Sequence, residues 1–241
     1  VGYDSVDVAA CTANGVLLTN TPDGVRRPVA TSILALILAL SHRLRTKDTL
    51  TRTGRWAETT NHMGVGLTGK TVGTLGMGNI GSELFRLLAP LEMRHLAYDP
   101  YANPEVARTL GVTLVDKDTV MREADFVCIN CPLTPETRHL VSTRELALMK
   151  PTAFLINTSR GPVVDEAALV WALKERVIAG AALDVYEKEP EIHQGLFALE
   201  NALLIPHLAS ATTETRTAMA DLAASNAFAV INGQPPITPV P

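Results

Sequence analysis

Three glycines in the first half of the chain are spaced as in a turn that binds phosphate groups. The turn consists of Gly76, Met77, Gly78, Asn79, Ile80 and Gly81, a G-x-G-x-x-G pattern. Gly76 allows the tight turn, Gly78 lets backbone N–H groups approach a pyrophosphate, and Gly81 lets the next helix pack close to the strand before it. Because a helix N-terminus carries the positive end of the helix dipole, this turn predicts a site for anionic phosphates.

The residues around the turn make the prediction more specific. An apolar run, Thr71–Leu75, has the length of a strand, and leucines at helical spacing follow the turn. Asp99 comes 18 residues after Gly81, at the end of a second strand-like run, Arg94–Tyr98. Strand, glycine turn, helix and later acid together predict a dinucleotide-binding unit.

Asp99 also indicates which dinucleotide binds. A carboxylate at the end of the second strand can accept hydrogen bonds from both hydroxyls of the adenosine ribose. A 2′-phosphate there would meet a like charge, at a cost of about 1 to 4 kcal/mol, and no basic residue follows Asp99 closely. The sequence therefore predicts NAD as the cofactor, preferred over NADP by a factor of order 100 or more.

Polar residues also follow three later strand-like runs. Arg160 follows one of them, and its guanidinium could hold a carboxylate together with the adjacent carbonyl oxygen. Asp184 ends the next run, where it could orient a nicotinamide carboxamide or simply cap a turn, and His207 follows the last. For Arg160 and His207 the structural alternatives are a surface or capping arginine and a histidine satisfied by its neighbours.

Apolar runs of strand length alternate with helical periodicity, which predicts an α/β fold with a doubly wound parallel sheet. Ligands bind at the carboxyl ends of the strands in such sheets, where the residues above lie. After the first two strands, the predicted strands are 112–115, 126–130, 153–157, 179–184 and 203–205. Ser142 with Glu145, and Asp165, are predicted to begin helices.

The two ends of the chain differ from this pattern. Residues 28–45 and 212–231 are predicted to form long helices that link two domains. We predict an NAD-binding domain at 51–211, part of a second domain with a linking helix at 1–50, and a C-terminal helix at 212–241 that returns to the second domain. The chain opens on Val1 and Gly2 without a start methionine, so we expect part of the second domain to be missing.

Composition narrows the class of protein only slightly. The 241 residues are 46% hydrophobic with a net charge of −4, and a pI near 5.9 gives no electrostatic signature for nucleic acid. The longest apolar stretch, 33–40, is too short to span a bilayer, so no membrane partner is expected. Cys128 and Cys131 have C-x-x-C spacing without a second pair, and we interpret them as packing residues rather than metal ligands.

Nearly the whole chain resembles the D-isomer-specific 2-hydroxyacid dehydrogenase family, in particular glyoxylate/hydroxypyruvate reductases. The most specific stretches are 157–166 (NTSRGPVVDE), 182–190 (ALDVYEKEP) and 206–212 (PHLASAT). The resemblance implies a Rossmann-like NAD-binding domain and an incomplete flavodoxin-like substrate domain. It also implies a cytoplasmic homodimer that interconverts a small 2-keto acid and a D-2-hydroxy acid.

The resemblance implies roles for individual residues. Arg160 would bind the substrate carboxylate and polarise its carbonyl. His207 would be the general acid and base, with Glu189 holding the imidazole and stabilising its protonated form, so that lower pH would favour reduction. Val1 and Gly2 match a family loop whose N–H groups bind the substrate carboxylate. The cofactor-binding residues would be Gly76, Gly78, Asn79, Ile80, Gly81, Asp99, Thr158 and Asp184.

Three alternatives share this scaffold. Formate dehydrogenases typically carry Gln as the partner of the histidine, so Glu189 argues against them. A phosphite dehydrogenase keeps a similar Arg, Glu and His set and is left open. Corepressors of the C-terminal-binding-protein type use NAD as a structural ligand and bind peptides, but nothing in this sequence resembles a peptide-binding addition.

One hypothesis concerns the substrate. Arg26 and Arg27 precede Pro28, at the predicted start of the linking helix. Adjacent arginines are more often solvated or paired with surface acids. If one of them faces the cleft between the domains, the substrate should carry a second polar or anionic group, as hydroxypyruvate or a longer sugar acid does.

Overall fold

A seven-stranded parallel sheet forms the centre of the larger of two compact units. The computed structural model describes residues 2–240 and, within them, every side chain but that of Asp23. The strands are β1 (Thr71–Leu75), β2 (Arg94–Tyr98), β3 (Val112–Leu114), β4 (Phe126–Ile129), β5 (Phe154–Asn157), β6 (Gly180–Leu183) and β7 (Ala202–Leu204). Each predicted strand lies within one residue of these bounds, so the predicted doubly wound sheet is confirmed.

The strand order is β3-β2-β1-β4-β5-β6-β7, with every neighbouring pair parallel. The order reverses between β1 and β4, which is the point where dinucleotides bind in such sheets. Register then aligns the strand ends, because Asn157 pairs with Leu183 and Leu183 pairs with Leu204. The residues that follow β5, β6 and β7 therefore emerge side by side.

The described residues form nine α-helices, of which α4 to α8 lie between successive strands along the chain. They are α1 (Val8–Ala13), α2 (Pro22–Ser41), α3 (Leu44–Arg52), α4 (Asn79–Leu88), α5 (Pro104–Thr109), α6 (Lys117–Glu123), α7 (Thr143–Leu148), α8 (Glu166–Lys174) and α9 (Thr213–Ile231). The predicted capping residues are confirmed. Glu145 accepts a hydrogen bond from the Ser142 N–H at 3.2 Å, and Asp165 accepts one from the Ala168 N–H at 3.0 Å.

The predicted helix at 28–45 has the wrong bounds. Helix α2 begins at Pro22 and ends at Ser41, so Pro28 lies inside it rather than at its start. Proline is most favourable in the first helical turn, but Pro22 occupies that position and Pro28 is accommodated six residues later. Arg26 and Arg27 are therefore exposed residues within α2 and do not precede it. The chain then passes through Arg43, at φ 53°, into α3.

Helix α2 also bears on the expected absence of a membrane span. Its window Gly24–Ser41 is 18 residues long with a mean hydropathy of 1.4, enough to cross a membrane by length and composition alone. This is longer than the stretch of residues 33–40 considered from the sequence. However, 39% of the window is buried within the protein, and a core helix of a soluble protein meets the same criteria.

The chain divides into two compact units, one of Val1–Val29 with Ser210–Pro241 and one of Ala30–Ala209. In the first, Asn226 of α9 holds the C-terminal segment, because its Oδ1 accepts hydrogen bonds from the N–H groups of Ile237 and Thr238, each at 2.9 Å. In the second, the strands pack against α6, α7 and α8 in one apolar cluster. Strand β1 is buried along its whole length, as expected for a parallel sheet covered on both faces.

Candidate active site

The glycine turn follows β1, at the reversal of strand order. Gly76 has a φ of 99°, and a Cβ atom there would lie 2.6 Å from the Cys131 nitrogen. A Cβ on Gly81 would lie 2.7 Å from the Gly76 oxygen. Both positions need glycine because the turn, α4 and the end of β4 approach one another at backbone distance.

Gly78 differs from the other two glycines. It is exposed, and a Cβ there would have no neighbour within 4 Å. Gly78 is the N-cap of α4, and no side chain caps the helix from that position. A helix N-terminus without a side-chain cap, next to open space, fits a phosphate group that accepts hydrogen bonds from the backbone.

Asp99 lies directly beside this turn. Its Oδ2 accepts a hydrogen bond from the Met77 N–H at 2.7 Å, and its Oδ1 accepts one from the Tyr101 N–H at 2.8 Å. These bonds fix the carboxylate and leave further lone pairs for ligand hydroxyls. Across the turn, the Asn130 Nδ2 is buried without a hydrogen-bond partner among the described residues. An orphaned donor at the switch point fits a bound ligand, so the residues present fit NAD.

Sequence reasoning missed Asn130 as a site residue. It follows β4 just as Arg160 follows the neighbouring β5 after a short turn, so the rule of polar residues at strand ends could have found it. Its amide was overlooked because the residue was assigned to the strand itself.

Arg160 lies in a tight turn after β5. Asn157 organises this turn, since its Oδ1 accepts a hydrogen bond from the Ser159 N–H at 3.1 Å and its Nδ2 donates to the Arg160 carbonyl at 3.0 Å. The Arg160 guanidinium donates to the Ser159 carbonyl at 2.8 Å. Thr158 lies half-buried at the start of the turn.

Gly161 brings the Arg160 turn against the segment after β6. A Cβ at Gly161 would lie only 1.8 Å from the Tyr186 carbonyl oxygen and 2.5 Å from the Glu187 nitrogen. No side chain fits between these backbones. The turn that carries Arg160 and the segment that leads to Glu189 are therefore in direct backbone contact.

Asp184 connects the end of β6 to the segment that carries His207. It is only 1% exposed, and its two carboxylate oxygens accept hydrogen bonds from the N–H groups of Leu208, at 2.7 Å, and Ala209, at 3.0 Å. Its carbonyl accepts the His207 N–H at 2.7 Å. These bonds have the turn-capping form considered from the sequence and fix the backbone on both sides of His207, while the role of Asp184 toward the cofactor stays a prediction.

His207 and Glu189 form a hydrogen-bonded pair. The His207 Nδ1 lies 2.7 Å from the Glu189 Oε2, and the other oxygen, Oε1, accepts the Tyr186 N–H at 2.9 Å. The side chains are 50% and 35% exposed, and within residues 2–240 the His207 Nε2 has no hydrogen-bond partner. His207 also has a φ of 53°, a left-handed conformation that favours glycine. The His207 ring is therefore accessible, and its second nitrogen is available.

Two further residues stabilise this segment and were not identified from the sequence. The Tyr186 hydroxyl donates to the Ile205 carbonyl at 2.9 Å. Burial, together with the nearby carboxylates, raises the pKa of Tyr186 to about 12, so the hydroxyl keeps its proton. Glu187 accepts a hydrogen bond from the Glu166 N–H at 3.3 Å, while the Glu166 Oε2 accepts the Glu187 N–H at 2.8 Å.

Two predicted site residues are not tested by this geometry. Val1 is outside the described residues, and Gly2 belongs to the other compact unit, so their roles stay predictions.

Cys128 is fully buried in β4, and burial raises the pKa of its thiol. Burial also raises the pKa of Cys131 to about 11. Within residues 2–240, no cluster of three His, Cys, Asp or Glu side chains could hold a metal ion.

Comparisons with known proteins agree with this geometry. A family model for "D-isomer specific 2-hydroxyacid dehydrogenase, NAD binding domain" matches residues 34–209. The glyoxylate reductase of Thermococcus litoralis is 43% identical over 242 residues, which cover 98% of this chain and 73% of that protein.

Solved structures match over the whole chain. A glyoxylate reductase from Paecilomyes thermophila has a TM-score of 0.92 at 34% identity, over 100% of this chain and 73% of that one. An NADPH-dependent glyoxylate/hydroxypyruvate reductase from Sinorhizobium meliloti, in complex with NADP and malonate, has a TM-score of 0.90 at 36% identity, over 100% of this chain and 75% of that one. The chain therefore belongs to the D-isomer specific 2-hydroxyacid dehydrogenase family and is an NAD-dependent enzyme of that class.

Proposed function

We propose that this chain is the catalytic part of an enzyme that interconverts a small 2-keto acid and a D-2-hydroxy acid. NAD supplies or accepts the hydride when it is bound. The Gly76–Gly81 turn would bind its pyrophosphate, Asp99 its adenosine ribose, and Thr158 and Asp184 the region nearer the nicotinamide.

The hydrogen bond between His207 and Glu189 carries the proposal. In the direction of reduction, protonated His207 donates a proton from Nε2 to the carbonyl oxygen of the substrate as negative charge develops there. Glu189 accepts from Nδ1, which holds the ring in place and stabilises the positive charge on the imidazolium. In the direction of oxidation, the neutral ring takes the proton back from the hydroxyl.

Arg160 would bind the substrate. A guanidinium can hold a carboxylate through two parallel hydrogen bonds and fix the carbonyl beside it. Arg160 follows β5, and His207 follows β7, two strands away in the same sheet. Support for a shared site comes from the backbone contact at Gly161, which joins the Arg160 turn to the segment that holds Glu189.

Similarity to glyoxylate reductases supports a short 2-keto acid as the substrate. Glyoxylate is the smallest such acid, and hydroxypyruvate adds a hydroxymethyl group to the same carboxylate and carbonyl. The homodimer, the cytoplasmic location and the carboxylate-binding role of Val1 and Gly2 remain predictions from the family resemblance.

Steady-state kinetics of the full-length protein test the proposal. NADH oxidation is measured with glyoxylate, hydroxypyruvate and larger 2-keto acids, and NAD reduction with phosphite. We expect turnover of at least one short 2-keto acid and none of phosphite. Replacing His207 with Gln should lower kcat by about 100-fold or more, because the proton donor is lost.

His42→Gln is the matched control, because His42 is an exposed histidine in the turn between α2 and α3. It should leave kcat unchanged. If phosphite alone were turned over, the substrate would not be a 2-keto acid. If the His207→Gln enzyme kept its full kcat, His207 would not be the proton donor.

A further inference from the structure

A cavity of about 190 Å³ lies at the opposite end of the sheet from the candidate active site. Its walls include Phe154, Ala179 and Ala202, at the amino ends of β5, β6 and β7. Arg160, Asp184 and His207 follow the carboxyl ends of the same parallel strands. The cavity is therefore separate from the site described above.

Basic residues outnumber acidic ones in the lining of the cavity. Arg43, Arg45 and Arg176 line it together with His62, and Glu200 is the single acidic residue of its lining. The lining thus carries two net positive charges with His62 neutral and three with His62 protonated. Glu200 also interacts electrostatically with Arg55, outside the cavity. A small space with this excess of positive charge attracts a compact anion.

Two of these arginines are held in an unfavourable backbone conformation. Arg43 has a φ of 53° and Arg176 a φ of 56°, values in the left-handed region that favours glycine. Each follows the end of a helix, α2 or α8, where glycine is the most common residue. Both arginines stand where glycine would be favoured, and both line the same cavity. This combination indicates that their side chains have a function there.

The two guanidinium groups are also available. Among the described residues, neither Arg43 nor Arg176 has a side-chain hydrogen bond or ion pair. Arg45, in contrast, donates to the Ala202 carbonyl at 2.5 Å and is anchored to the start of β7. An anion in the cavity would meet two unpaired guanidinium groups beside one fixed one.

We propose that this cavity binds a compact anion with two negative charges, either a phosphate group or a short dicarboxylate. Guanidinium groups bind both through paired N–H donors. The cavity is smaller than the roughly 300 to 1,000 Å³ pockets that hold larger ligands, so the anion must be small. Polar groups from Thr46 and Asn201 complete the lining.

Calorimetric titration of the full-length protein, saturated with NADH to block the glycine turn, tests the proposal. Inorganic phosphate and succinate are titrated separately at constant ionic strength set with chloride. We expect one of them to bind with a stoichiometry of one per chain when Arg160→Gln removes the carboxylate site proposed for the active site. The titrant with the lower Kd shows whether the site prefers a phosphate group or a dicarboxylate. Arg43→Gly and Arg176→Gly should each raise its Kd by about 10-fold or more, because a charged hydrogen bond is lost.

The same substitutions should not lower the thermal midpoint, because glycine suits a left-handed backbone better than arginine does. Glu92→Gly is the conformational control, since Glu92 has a φ of 54° outside the cavity. Arg108→Ala controls for loss of charge, because Arg108 is an exposed arginine paired with Glu105. Neither control should change the Kd. Absence of binding by the unmodified protein, or equal binding by the Arg43 and Arg176 variants, would overturn the proposal.

Discussion

The two halves of the sheet edge that carries the candidate site are built by different means. At the ends of β1 and β2, the geometry depends on missing side chains, since a Cβ on Gly76 or on Gly81 would lie less than 3 Å from neighbouring backbone atoms. At the ends of β6 and β7, it depends on carboxylates, since Asp184 and Glu189 each accept backbone N–H groups. The first half exposes backbone, and the second orients a side chain.

The difference has a chemical reason. A pyrophosphate accepts hydrogen bonds from backbone N–H groups and is attracted to the positive end of a helix dipole. Such a site needs residues whose side chains are small enough to leave the backbone accessible. The proton transfer proposed for His207 needs one ring nitrogen in one position. In agreement with this role, its backbone N–H is bonded to Asp184 and its Nδ1 lies beside Glu189. Substitutions should therefore affect binding in the first half and orientation in the second.

The largest expected effect contrasts two glycines. Gly161→Ala should lower the free energy of unfolding by about 3 kcal/mol or more, because its Cβ would overlap the Tyr186 carbonyl oxygen. Gly78→Ala should leave stability nearly unchanged, because its Cβ meets nothing within 4 Å, but should raise the Kd for NADH by about 10-fold. Urea unfolding and NADH fluorescence titration measure the two quantities.

Gly66→Ala serves as a common control for both glycines. It also has open space around its Cβ, and it lies in a loop away from the turn. It should change neither stability nor NADH affinity. Equal stability of the Gly161 and Gly78 variants would contradict the close backbone approach after β5.

A smaller effect is expected at Asp99. The unmodified enzyme should show a kcat/KM for NADH about 100-fold above that for NADPH. Asp99→Asn should reduce this ratio by about 10-fold or more, because the like charge facing a 2′-phosphate is removed while one oxygen still accepts the Met77 N–H. A preference of the unmodified enzyme for NADPH, which the name of the Sinorhizobium meliloti relative states for that protein, would refute the assignment.

The sequence predicted the sheet well because its signal is local. A buried parallel strand such as β1 is a continuous apolar run bounded by turn residues, and each such run was located to within one residue. The start of α2 was misplaced because two prolines, Pro22 and Pro28, carry the same local signal. Only packing decides which of them begins the helix.

Predicting the site from the sequence had a different limit. Arg160, Glu189 and His207 stood out through strand ends and family motifs, but their contacts could not be read from spacing. The contact between Gly161 and Tyr186 joins residues 25 positions apart, and it exists only once β5 and β6 are paired. The cavity at the other end of the sheet left no motif at all, because it collects Arg43 and Arg176 from distant helix ends.

The smallest effect tests how Glu189 aims the ring. Glu189→Gln keeps one carbonyl oxygen, which can still accept the Tyr186 N–H, and turns an NH₂ donor toward the His207 Nδ1. The protonated ring then loses its partner, so reduction should need a more acidic solution and its pH profile should move toward acid. Glu191→Gln removes the same charge from an exposed residue two positions away and should leave the profile in place. Profiles of kcat/KM against pH that coincide for all three enzymes would mean that Glu189 only stabilises the Tyr186 backbone.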